Sequence, residues 1–203
     1  MKLSNSLLTF CLTLLFFAGS PVKKGYDVGD TAIDFKLKNV DGKMVSLANY
    51  KEAKGFIIIF DCNTCPYSKA YNDRIIALSK KYSKDFPLIA INSNSGEDSS
   101  GDSFEDMIKY AKKKGYDFPY LVDATQEIAK TYGATNTPHI FVLNKEQGNL
   151  KVAYIGTIDD NPRNAKSVAK RYVEDAVDAL IDGKPVATTK TKAIGCGIKW
   201  RDA

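Results

Sequence analysis

Histidine is almost missing from this chain: His139 is the only one in 203 residues. Any metal or acid–base centre must therefore recruit other side chains, and thiolates are the soft ones on offer. Cysteine is scarce as well, at Cys11, Cys62, Cys65 and Cys196. Cys11 lies in an apolar leader and is expected to leave with it. Three cysteines remain, an odd number, which excludes a structural disulfide framework. There is no block of one charge. The 29 basic and 24 acidic residues leave a net charge of +5 spread along the length. The Lys112-Lys113-Lys114 cluster reads as the solvated end of a helix, so no nucleic-acid partner is expected. There is no internal repeat. What is left is 44% apolar and 26% charged, an ordinary globular composition long enough for one medium domain.

The first twenty residues differ from the rest. Lys2 precedes Leu7, Leu8, Phe10, Cys11, Leu12, Leu14, Leu15, Phe16 and Phe17, and Ala18-Gly19-Ser20 close the run. A basic start, about a dozen apolar residues and a small-residue end describe a secretory signal over residues 1–20. The run is short for a membrane span. Cleavage and retention as an anchor both stay open, because Pro21 and the bulky Phe16 and Phe17 make a poor cleavage site. The expectation is export, with the domain facing outside the cytoplasm.

The chain is organised around Phe56-Ile57-Ile58-Ile59-Phe60-Asp61-Cys62-Asn63-Thr64-Cys65-Pro66. Five apolar residues in a row predict a strand covered on both faces. Behind Pro66, the residues Tyr67, Tyr71, Ile75, Leu78 and Tyr82 fall on one helical stripe, which predicts a helix from about 63 to 82. Residues i and i+3 of a first helical turn lie roughly 5–6 Å apart, within disulfide range. Unpaired N–H groups and the helix dipole there favour a thiolate. Cys62, at the exposed start, is the expected nucleophile, and Cys65, one turn in, the expected resolving thiol. Asp61 opposes the dipole at Cys62. Each effect is about 0.3–1 kcal/mol at a partly exposed site, so the redox potential stays open, and with it the choice between reductant and oxidant.

Elsewhere the pattern predicts a hairpin from Asp34-Phe35-Lys36-Leu37 and Met44-Val45-Ser46-Leu47, then a strand over 86–92 and a polar loop over 93–102. A helix capped by Ser103 and ended by Gly115 follows. Next come a brief strand over 118–122, a short helix over 126–132 capped by Asp123 or Thr125, and a hairpin from 137–143 and 150–155. A final helix opens at Pro162, with Ala169, Val173, Ala176 and Leu180 facing inward, and Gly183 closes it. The tail from 184 to 203 has no regular pattern. Strands alternating with helices, then a hairpin, imply an α/β mixed sheet with helices on both faces.

With these elements in this order, residues 27–183 resemble the thioredoxin fold, in the redoxin branch that includes AhpC/TSA and TlpA/ResA-like proteins. The resemblance rests on the leading hairpin as an N-terminal extension, the Cys62-Asn63-Thr64-Cys65-Pro66 motif, the Thr137-Pro138 step, and the closing hairpin and helix. It implies a thiol–disulfide oxidoreductase whose redox group is a Cys62–Cys65 disulfide, with no other cofactor and no metal. The implied partners are disulfide-containing protein clients and a dithiol protein that donates or accepts electrons, a membrane-bound one included. It further implies a cis Pro138 that turns the Thr137 backbone toward the cysteines, where a client chain would pair as a strand. Two departures stand out. The strand leading to the cysteines carries no buried acid, Asp61 being the nearest. A peroxiredoxin has Thr three residues before its peroxidatic cysteine, whereas that position holds Cys62 before Cys65 and Ile59 before Cys62. Two rivals remain: a copper chaperone using Cys62, Cys65 and His139, and a thiol peroxidase. The accessory candidates are Asp61, His139 as a proton donor or a packed ring, and Cys196 as a packed tail residue or a third redox thiol.

Overall fold

The structure, a computed structural model, describes residues 25–94 and 100–201; the expected leader over 1–20 lies outside them. In chain order its strands and helices are β1 (Thr31–Ala32), β2 (Lys36–Asn39), β3 (Met44–Ser46), β4 (Gly55–Phe60), α1 (Pro66–Tyr82), β5 (Leu88–Asn92), α2 (Phe104–Lys114), β6 (Tyr120–Val122), α3 (Glu127–Tyr132), β7 (Asn136–Thr137), β8 (His139–Glu146), β9 (Asn149–Gly156), α4 (Tyr172–Ile181) and β10 (Cys196–Gly197). Eight strands form one sheet in the order β1-β9-β8-β4-β5-β6-β2-β3, and β7 pairs with β10 separately. The β4–β5 and β5–β6 pairs are parallel and the remaining ones antiparallel.

Central β4 is covered on both sides, as its unbroken apolar run requires: Ile57, Ile58, Ile59 and Phe60 expose no surface. Alternation along the strand divides them between two cores. Ile57 and Ile59 join Tyr71, Ile75 and Leu78 of α1, Met107 of α2 and Val173, Ala176 and Val177 of α4. Ile58 and Phe60 join Phe35, Leu47, Ala129 and Tyr132 of α3, and Phe141. Each such side chain contributes roughly 1.5–3 kcal/mol by leaving water. The strand that ends at the cysteines is therefore fixed from both faces.

The caps of α2 appear where the sequence places them, whereas the N-cap of α3 is Gln126, without a side-chain cap bond. The Ser103 hydroxyl accepts from the Asp106 N–H, and Gly115 ends α2 in the left-handed conformation. Asp123 accepts from the Ala129 N–H. Two helices start later than their patterns suggest. Helix α1 begins at Pro66, because Asn63 and Thr64 use their polar groups elsewhere. Helix α4 begins at Tyr172 rather than Pro162, and Ala169 is exposed instead of inward-facing. The intervening loop is held by Arg74, which donates to Asp159 Oδ2 (2.6 Å) and to the carbonyls of Asn161 and Pro162 (both 2.9 Å). These charge-assisted bonds replace the first helical turn. The tail is not wholly irregular either, since it contains β10. Among the described residues no helix is long and apolar enough to cross a membrane.

Candidate active site

Strand β4 delivers the chain into a turn, Asp61 to Cys65, from which α1 leaves. Cys65 is the N-cap of that helix and Pro66 its first residue. The Cys65 carbonyl accepts from the Lys69 N–H (3.0 Å), the opening bond of the helix. This corrects the expected placement of Cys62 at an exposed helix start with Cys65 one turn in. Cys62 precedes the helix and is 2% exposed; Cys65, at the positive end of the dipole, is 3% exposed.

The Thr137–Pro138 bond is cis, and Thr137 lies against both cysteines. Its hydroxyl oxygen is 3.2 Å from Cys62 Sγ and its carbonyl oxygen 3.0 Å from Cys65 Sγ. A third sulfur joins them: Cys196 Sγ is 2.7 Å from Cys65 Sγ. All three residues are unpaired thiols in this structure.

The three sulfurs are electrostatically unequal. The interaction with Cys62 holds the Cys65 pKa well below the ordinary thiol value; burial opposes this, while contacts from Cys196 and the Ser68 backbone support it. The same bond to Cys65, together with burial, pushes Cys62 up. Burial and the neighbouring Cys65 raise Cys196 to about 11. The directions of these shifts favour Cys65 as the first of the three to ionise.

What holds the turn in place lies in the stretch read only as a polar loop. Asp102, with no exposed surface, accepts from the Asn63 backbone N–H (2.7 Å), the Thr64 hydroxyl (2.5 Å) and the Asn92 amide (3.2 Å). Asn63 in turn donates to the Gly101 carbonyl (2.9 Å) and accepts from the Tyr120 hydroxyl (2.9 Å). Gly101 has φ +83°, and a Cβ there would meet the Thr64 methyl at 2.7 Å. One Gly-Asp pair in a polar run carries no signal of this in the sequence.

Asp61 is 2% exposed, and its Oδ1 has no hydrogen-bond partner. Burial raises its carboxyl to about 7, with Ser68 and the Cys62 backbone pulling the other way. Because this exceeds the ordinary 3.8, the folded chain keeps a proton that the unfolded chain releases between about pH 4 and 7. The Asp61 contribution to stability is therefore greatest below pH 4 and falls until pH 7. The gap corresponds to at most roughly 4 kcal/mol. Asp61→Asn is expected to raise stability at pH 8 by up to a few kcal/mol and to change little at pH 4, as read by urea melts at both values. His139 gives wild type the opposite slope. Burial lowers its pKa to about 4, so its contribution is lost as pH falls from about 6.5 to 4, and the comparison with the variant cancels it. His139 is thus neutral near pH 7 and presents no imidazolium to donate a proton. Its Nδ1 accepts from the Thr135 N–H (3.3 Å) and its ring centroid lies 4.8 Å from that of Phe141. Among the described residues no cluster of three or more His, Cys, Asp or Glu side chains is arranged to hold a metal ion.

Residues 28–172 match the model of the AhpC/TSA family. The chain belongs to that family. It is accordingly a thiol redox enzyme, and its partners carry thiols or disulfides. A crystal structure of an uncharacterized conserved protein from Geobacillus kaustophilus is 38% identical with a TM-score of 0.80, covering 91% of this chain and 99% of that one. The thiol-disulfide oxidoreductase ResA of Geobacillus thermodenitrificans is 26% identical over 139 residues, 67% of this chain and 74% of that protein. The exposed lipoprotein thioredoxin Etrx1 of Streptococcus pneumoniae is 21% identical with a TM-score of 0.53, covering 74% of this chain and 99% of that one. That last likeness bears on the fold alone, which is the thioredoxin fold with the β2–β3 hairpin added at one edge of its sheet.

Proposed function

We propose that the chain is a thiol–disulfide oxidoreductase acting on protein or small disulfides outside the cytoplasm, with Cys62 and Cys65 as its redox couple and no further cofactor. The observation that carries this reading is the placing of both sulfurs against Thr137, with Cys65 alone at the helix N-terminus. The Cys65 thiolate attacks a client disulfide. One client sulfur leaves as a thiolate and a mixed disulfide forms. Cys62, after losing its proton, attacks the Cys65 sulfur, releases the second client thiolate and leaves a Cys62–Cys65 disulfide. An external dithiol protein returns the two electrons. Asp61, raised to about 7 and next to Cys62 in the chain, is partly ionised near neutral pH and in that form is suited to accept the Cys62 proton.

Turnover is tested by insulin reduction coupled to a dithiol donor, with the Cys62–Cys65 disulfide mapped in the oxidised protein. A chain that neither forms this disulfide nor reduces insulin would remove the proposal. Tight Cu(I) binding without reduction would support the copper reading, and peroxide-dependent sulfenylation the peroxidase one. The extracytoplasmic setting rests on the Lys2-led apolar run. A reporter fused after residue 25 is expected to leave the cytoplasm, and a wholly cytoplasmic reporter would refute export.

A further inference from the structure

Strand β10 sits where a client strand would sit. It pairs antiparallel with β7, with Cys196 opposite Thr137 and Gly197 opposite Asn136. The backbone edge beside Pro138 is therefore already occupied by the chain's own tail. The fit is close: a Cβ on Gly195 would fall 2.2 Å from the Thr137 carbonyl oxygen. Beyond Cys196 the tail is fastened by several contacts. Ile198 is 6% exposed, and its N–H donates to the Thr135 carbonyl (3.0 Å). The Lys199 N–H donates to Asn94 Oδ1 (2.9 Å), and the Gln126 amide donates to the Lys199 carbonyl (2.8 Å). Upstream, Thr191 is tied to β9 through the Ile155 carbonyl (2.9 Å) and the Tyr154 hydroxyl (2.6 Å).

We propose that Cys196 is a third redox cysteine, which resolves Cys65 from within the chain by a Cys65–Cys196 disulfide. This deepens the proposed oxidoreductase reading and rests on it. The 2.7 Å between the two sulfurs is longer than the roughly 2.03–2.05 Å of a disulfide but closer than two non-bonded sulfurs ordinarily approach, so only a small movement separates them from a bond. With β10 docked, both cysteines of the Cys62–Cys65 pair are covered, so a protein client enters only by taking the place of β10. Thr191 keeps the displaced strand tethered. The five residues from Thr191 to Cys196 reach at most about 18 Å, which makes return of the thiol an intramolecular event at high effective concentration.

The chemistry balances. The Cys65 thiolate attacks R–S–S–R′, forming Cys65–S–S–R and releasing R′S⁻. Cys196, having given its proton to water, attacks the Cys65 sulfur, so that the Cys65–S–S–Cys196 bond forms and RS⁻ leaves. The client has gained two electrons and the chain has lost two. The Cys62 thiolate then displaces Cys196 to give the Cys62–Cys65 disulfide, or an external dithiol reduces the Cys65–Cys196 bond directly.

The test treats full-length Cys62→Ser with excess oxidised dithiothreitol, alkylates the remaining thiols and maps disulfide-linked peptides by mass. The expected result is a Cys65–Cys196 linkage in most chains. Adding Gly195→Ala, which forces β10 off Thr137 but keeps the thiol, should slow its formation at least tenfold. If Cys65 and Cys196 both stay alkylatable in Cys62→Ser, or if Gly195→Ala changes nothing, the proposal is overturned. Wild type, which requires no folding of a variant, gives a second measure: brief oxidation should show the Cys65–Cys196 linkage before the Cys62–Cys65 one, and its absence at every time point counts against the proposal. A Cys62–Cys65 disulfide and insulin reduction without any Cys196 linkage would leave the oxidoreductase reading standing alone. No linkage of either kind and no reduction would take both down.

Discussion

Cys65→Ser is expected to lower disulfide reduction more than about 10³-fold, whereas Cys62→Ser should keep the first attack on a client. An ordinary thiol near pKa 8.5 is only about 3% ionised at pH 7. The shared bond lowers Cys65 and raises Cys62, so Cys65 ionises before Cys62. A lower pKa also makes a thiolate intrinsically less nucleophilic, with a Brønsted slope of about 0.4–0.5. That slope offsets only part of the gain in ionised fraction for Cys65; in Cys65→Ser the bond that raises Cys62 is gone, but burial still disfavours its thiolate. The measurement is a single exposure to glutathione disulfide at pH 7 followed by intact mass. Cys62→Ser should acquire glutathione on Cys65 or pass on to an internal disulfide, and Cys65→Ser should acquire none at Cys62. Glutathionylation of Cys62 in Cys65→Ser at the rate of wild type would restore the order of attack expected from the motif alone.

Asp102→Ala is expected to destabilise the fold by roughly 3–5 kcal/mol and to loosen the cysteine turn. The substitution strands the Asn63 N–H and the Thr64 hydroxyl and removes one of the bonds of the Asn92 amide, which keeps the Tyr120 hydroxyl. Each buried polar group left unpaired costs about 1–3 kcal/mol. The low end of that range suits Thr64, which is part-exposed, and the high end suits the buried Asn63 N–H. At this chain length each kcal/mol is worth about 2–4 °C in Tm, so a fall of roughly 10 °C is expected. Asp102→Asn, which fills the same volume but turns a donor toward other donors, should fall in between. Calorimetry gives the first readout. The second is the iodoacetamide alkylation rate of Cys65 at pH 6, which should drop once the turn no longer holds the sulfur over the helix N-terminus. A Tm change under about 2 °C would show that Asp102 is not the latch.

Much of the fold is legible in the sequence for a local reason. Ile57 to Phe60 form an apolar run too dense for any half-exposed strand, and the stripe from Tyr71 to Tyr82 has helical spacing. Ser103 and Gly115 mark the two ends of α2 by chemistry that acts within one turn. The elements that depart from the local pattern are those set by distant partners. Helix α4 loses its predicted first turns because Arg74, some ninety positions earlier, binds the carbonyls that would have begun it. Strand β1 pairs with β9 while β2 and β3 lie at the opposite edge of the sheet, and no pattern within residues 31–46 distinguishes one edge from the other.

The site divides along the same line. The sequence by itself determines a Cys-x-x-Cys pair at the end of a buried strand and the start of a helix, and a Thr-Pro step in the second half of the chain. Both are local patterns of apolar run, helical stripe and proline. Only the tertiary structure decides which cysteine caps the helix, because that depends on Asp102 and Tyr120 drawing Asn63 and Thr64 out of the first turn. Only the tertiary structure brings Cys196 to 2.7 Å from Cys65, across 131 positions of chain. Sequence spacing holds no information about such a distance; it is set by β7 offering an unpaired backbone edge and by a glycine that lets the tail come close enough to take it.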